Sequence, residues 1–185
     1  MFLKGIRPVV VLIALIIGLV VIFGTQYMVQ TKFLEEPFKK KVLSIDGIED
    51  VKLIETENGK QVYLIMRSDV ELKDAFLEVN RLAQEMLSGR IEIKIENQVS
   101  QDMKELYKRM HFVIYEGIAS GKFTWMAAQL EAIGLEAQLQ DLDVQVDNNF
   151  VYVKMIKNGE VFCKVVPRKA EGLAYMKEER GESQW

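Results

Sequence analysis

The sequence predicts an α+β protein: an N-terminal transmembrane helix, then a small α-β-β-α-β domain and an α-α-β-β-β unit. Three observations carry this. An uncharged run occupies residues 8–31, with an apolar core from Val9 to Phe23. Short segments of alternating polarity follow it, punctuated by Asn-Gly pairs. Between them lie longer segments whose apolar residues recur at helical spacing. The expected divisions are 1–31 for tail and anchor, 34–97 and 101–167 for the two folded units, and 168–185 for a polar tail.

A helix from Val9 to Val29 would be about 30 Å long, the thickness of a bilayer's hydrocarbon core. Val9, Leu12, Ile16, Leu19, Val20 and Phe23 are residues of this expected membrane anchor, and Tyr27 falls at its interfacial end. The run exceeds a cleavable signal's apolar core, and no small-x-small site follows it, so an uncleaved anchor is expected. Lys4 and Arg7 on a short N-terminal tail favour an inside N-terminus, with the folded mass outside the plasma membrane. Lys32, Lys39, Lys40 and Lys41 on the other flank oppose that orientation.

Leu34 to Ile45 reads as a short helix with Leu34, Phe38, Val42 and Ile45 on one stripe and Gly47 as its stop. Strands are expected over Glu49–Glu57 and Gln61–Arg67, with Asn58-Gly59 as the hairpin turn. The second has apolar residues on both faces, as a central strand does. Ser68-Asp69-Val70-Glu71 has the form of a capping box before a helix carrying Leu72, Ala75, Phe76, Val79, Leu82, Ala83, Met86 and Leu87 on one face. Arg90–Glu96 alternates as a half-buried strand.

Beyond Ser100, a long helix is marked by Met103, Leu106, Tyr107, Met110, Val113, Ile114, Gly117 and Ile118. A second is expected from a Thr124 cap to Ile133, stopped by Gly134. Strands Leu142–Val146, Phe150–Lys157 and Glu160–Val166 then form a meander turning at Asp147-Asn148-Asn149 and Asn158-Gly159.

Ile45-Asp46-Gly47-Ile48-Glu49-Asp50-Val51 resembles the helix, glycine, valine, strand lead-in of ring-building-motif domains. These domains occur in flagellar basal bodies, type III secretion rings and sporulation channels. The resemblance covers residues 34–97. It implies a domain beside a transmembrane helix that self-associates or joins a larger complex.

Composition narrows the chemistry. Without Lys4 and Arg7 the chain has 22 basic against 27 acidic residues, a formal charge of −5, so it lacks the basic footprint of a nucleic-acid binder. Cys163 is the only cysteine and His111 the only histidine. Cys163 is expected to be a small buried residue, and His111 to flank a helix's apolar stripe. Asp141, Asp143, Asp147, Asn148 and Asn149 lack the spacing of a calcium loop and read as strand ends and a turn. Ser120-Gly121-Lys122 lacks the strand and first glycine of a phosphate loop. Glu116 and Glu131 have no visible acid–base partner. Phe123, Trp125 and Met126, near Tyr115, are the candidate interaction surface. No catalytic, metal or cofactor constellation emerges. The expectation is a single-pass, non-enzymatic interaction or assembly protein, with lipid and protein as partners. A tethered sensor or ligand-binding module is the alternative, and an envelope enzyme a more distant one.

Overall fold

A computed structural model describes residues 12–13, 15–19 and 35–169. It is a mixed α+β structure with two three-stranded sheets. The order is α1 (Glu36–Leu43), β1 (Ile48–Thr56), β2 (Gly59–Met66), α2 (Leu72–Met86), β3 (Ile91–Ile95), α3 (Gln101–Ser120), α4 (Phe123–Glu136), β4 (Asp141–Val146), β5 (Phe150–Lys157) and β6 (Glu160–Pro167).

In the first sheet β2 is central, antiparallel to β1 and parallel to β3. Its doubly apolar pattern marked that place. Val62, Leu64 and Met66 point to one face, with Val51 and Ile91, and are buried with α1 and α2. Phe38 and Val42 of α1 are completely buried, as their stripe required. The opposite face stays open, with Lys52, Tyr63 and Lys94 in one row and Ile54, Gln61 and Glu92 in the next.

The second sheet is an antiparallel meander. Val151, Val153 and Met155 of β5 pack with Met103, Met110, Ile114, Met126 and Leu130 of the α3–α4 hairpin. Tyr152 and Cys163, on the other face, belong to the core of the α-β-β-α-β unit, where Phe150 and Val165 also pack. The meander is therefore a shared middle layer. Phe76 of α2 lies edge-on to Phe150 and Tyr152, at 5.4 and 6.0 Å between ring centroids. The buried Lys154 amine donates to the Val70 carbonyl at 3.1 Å and lies 3.5 Å from Asp141.

Several expected boundaries are corrected. The first hairpin turns at Glu57-Asn58, because Thr56 pairs with Gly59. A Cβ at Gly59 would overlap the Arg90 carbonyl oxygen, so this glycine is consumed by strand packing and is unavailable to the turn. Ser68 does not cap α2. The helix starts at Leu72 after Glu71, without a side-chain cap, since Val70 must fold onto Gly47 to reach the core. Thr124 is not a cap either: α4 starts at Phe123 after Lys122. Gly134 lies inside α4 and lets Leu142 approach to 3.0 Å of where a Cβ would stand. By contrast, Ser100 caps α3, its hydroxyl accepting from the Met103 N–H at 3.4 Å.

Among the described residues no helix is long and apolar enough to cross a membrane. Most of the expected span, including Val9, Val20, Phe23 and Tyr27, lies outside them. The described positions Leu12, Ile16 and Leu19 are helical. Leu34 and the tail from residue 170 on also lie outside them.

Candidate functional site: a cleft between two strand edges

The two sheets meet edge to edge without pairing. The contact is made by Asn97, two residues past the end of β3. Its side-chain oxygen accepts from the Cys163 N–H at 2.7 Å, and its NH2 donates to the Cys163 carbonyl at 2.9 Å. One amide group thus stands in for a strand neighbour along β6. From this clasp β3 runs back and β6 runs on, and a cleft of about 680 Å³ opens between Glu92–Glu96 and Lys164–Pro167. A smaller cleft of about 150 Å³ also borders Asn97.

The register shows which backbone groups face the larger cleft. The Arg90 carbonyl and the Glu96 N–H bond to β2, so the alternate residues Ile93 and Ile95 point their N–H and C=O groups away from it. On β6, Arg168 bonds back to Asn149 while Cys163 bonds outward to Asn97. Val165 therefore also points outward. Ordinary strand periodicity leaves two unpaired edges facing one space.

Helix α3 forms the third wall. Tyr107, His111 and Tyr115 are spaced i, i+4, i+8 and line the cleft along one helix face. The His111 ring lies 4.3 Å from Tyr115 and 5.9 Å from Tyr107, and Tyr107 lies 4.7 Å from Phe162. The Tyr107 hydroxyl is buried with no hydrogen-bond partner among the described residues. Burial, with Tyr115 beside it, pushes this phenol up to about 12, so it remains a protonated donor. Tyr63 reaches the cleft from the open sheet face, with the Lys94 amine 5.7 Å from its ring centroid.

Glu92 is bridged to Lys94 at 3.1 Å and Glu96 to Lys52 at 3.3 Å. Lys164 is exposed and has no ion-pair partner among the described residues. The cleft thus offers backbone donors and acceptors, aromatic faces, one orphan hydroxyl and one free cation. Cys163, which does not line it, is fully buried, and burial pushes its thiol up to about 12 despite Lys154. A nucleophilic thiolate is not formed there. Among the described residues no three His, Cys, Asp or Glu side chains are grouped to hold a metal.

The residues singled out by sequence are dispersed. Phe123 lies under the Arg168 guanidinium, 4.4 Å from its ring centroid. Trp125 is partly exposed, whereas Met126 is completely buried against Gly117, where a Cβ would come within 2.7 Å of it. Glu116 and Glu131 are exposed on separate helices. Asp147 caps its own turn, accepting from Asn149 and Phe150 N–H groups and from the Tyr152 hydroxyl at 2.7–2.8 Å. Sequence reasoning missed Asn97, Tyr107 and Lys164. Only the Tyr107–His111–Tyr115 spacing was available as a signal. No protein family, curated protein or solved structure matches the chain.

Proposed function

We propose that the chain is a membrane-anchored, non-catalytic interaction and assembly protein. The observation that carries this is at the N-terminal run. Leu12, Ile13, Leu15, Ile16, Ile17 and Leu19 are helical and 45–59% exposed, so the folded body does not cover them. Burying such side chains is worth about 1.5–3 kcal/mol each, and lipid supplies that burial for an uncharged run of this length. Lys4 and Arg7 orient the N-terminus inward in this reading, leaving the two-sheet body outside the plasma membrane. The α-β-β-α-β order beside an anchor supports self-association as in ring-building-motif domains. Tethering raises local concentration, so weak contacts between copies suffice.

The test is an alkaline carbonate wash of membranes carrying the full chain, followed by cross-linking at native density. The expected result is retention in the pellet with cross-linked species above the monomer. Release of the intact chain into the wash would remove the anchor. Retention as a strict monomer without any cross-linked partner would remove the assembly role.

A further inference from the structure

We infer that the cleft between β3 and β6 binds an extended peptide segment of a partner protein that carries acidic side chains, by strand addition to the open edges. This deepens the interaction-protein reading and rests on it.

The backbone argument comes first. Ile93 and Ile95 on one wall and Val165 on the other present N–H and C=O groups to the same space. Unpaired strand edges are templates for another strand, and proteins ordinarily cover or blunt them. Here β3 is left open, and β6 is open as far as Val165, beyond which Pro167 on the same side ends the row of N–H donors. The clasp itself demonstrates the recognition mode. The Asn97 amide offers β6 one acceptor and one donor at 2.7 and 2.9 Å, the pattern a peptide unit would offer. A bound strand would continue that pattern from Cys163 to Val165, with its side chains alternating between solvent and the aromatic wall.

The charge argument selects the occupant. Glu92, Lys94 and Glu96 already have opposite charges close by, leaving the Lys164 ammonium as the cleft's cation without an ion-pair partner among the described residues. A carboxylate on the incoming segment would answer it. The Tyr107 hydroxyl, buried and without an acceptor among the described residues, would donate to a peptide carbonyl or carboxylate, and Tyr115 and Tyr63 offer ring faces to apolar side chains.

The probe is a fluorescent, end-capped peptide of alternating valine and glutamate, titrated against the full chain in nanodiscs and followed by anisotropy. The comparison peptides are the same sequence N-methylated at alternate backbone nitrogens, and a valine–lysine repeat. Binding of the first peptide should weaken about tenfold on N-methylation, the loss expected for one or two backbone hydrogen bonds. A similar loss is expected for the valine–lysine repeat and for Lys164→Glu. Val165→Pro deletes an outward N–H without breaking a ladder bond to β5, though it also alters the packing of that side chain on the core, and should weaken binding to the same extent. Amide exchange at Ile93, Ile95 and Val165 should slow on binding, which keeps the test decisive if the proline variant folds poorly. Equal affinity for the N-methylated peptide would overturn strand addition. No binding, or association of two copies through this cleft blocked by Val165→Pro, would overturn the partner-peptide assignment while leaving the carbonate and cross-linking result untouched.

Discussion

The two sheets have the same number of strands and nearly the same length, yet they are covered differently. The sheet of β1, β2 and β3 buries one face under α1 and α2 and leaves Lys52, Tyr63 and Lys94 open. The sheet of β4, β5 and β6 buries both faces, with Val151, Val153 and Met155 toward α3 and α4 and Tyr152 and Cys163 toward the other unit. A sheet with one apolar face completes a domain. A sheet with two joins domains, and the cleft exists because this join holds β3 and β6 at a set separation.

The sharpest way to break the comparison is to place the same charge on each sheet. Val153→Asp buries a carboxylate between β5 and the helices and should cost more than about 4 kcal/mol in chemical denaturation, enough to unfold a marginal domain. Ile54→Asp, on the open face, should change stability by no more than about 0.5 kcal/mol. An effect at Val153 as small as that expected at Ile54 would mean that the helix-side face of the second sheet is not buried.

The two Asn-Gly hairpins give the next largest contrast. Gly59→Ala forces a methyl group onto the Arg90 carbonyl at φ +131° and should cost about 3 kcal/mol, whereas Gly159→Ala meets open space at φ +78° and should cost about 1 kcal/mol. Thermal or urea midpoints would rank them. Asn97→Ala leaves the Cys163 N–H and C=O without their partner and should cost about 1–2 kcal/mol while accelerating Cys163 amide exchange.

The smallest effect is acid dependence. Burial acts to raise Asp147, but the Tyr152 hydroxyl and the Asn149 and Phe150 N–H groups outweigh it and hold its carboxyl below the ordinary 3.8. Its contribution is therefore present above that value and lost as pH falls through the lower folded-state value. The unfolding midpoint of Asp147→Asn should start lower at neutral pH and fall less steeply below pH 3.8 than that of the parent chain.

Much of the architecture was legible as periodicity. The apolar stripes of α1 and α2, the central place of β2 and the bounds of β5 follow from repeats of helical or strand spacing. Asn158-Gly159 turns with φ of 53° and 78°, as two-residue hairpins favour. Asn58-Gly59 does not, because a tertiary contact from Arg90 claims the glycine. Gly134 was misread as a helix stop for the same kind of reason, a close approach made from far along the chain. The double burial of β5 was partly legible, since Phe150–Lys157 is apolar on both faces like β2. The site was hardly legible at all. Its unpaired edges are defined by what β3 and β6 do not bond to, and Asn97 becomes a clasp only when Cys163 is brought beside it.

Native-state hydrogen exchange on the full chain tests the central claim, that the shared middle sheet makes one body and fixes the cleft. The fully buried residues Val62 and Leu64 of β2 and Val153 and Met155 of β5 should have amides that open with the same free energy and the same denaturant dependence. Two separate opening energies, with β5 released while β2 stays closed, would mean that the units are independent and that the cleft between them is not a constructed site.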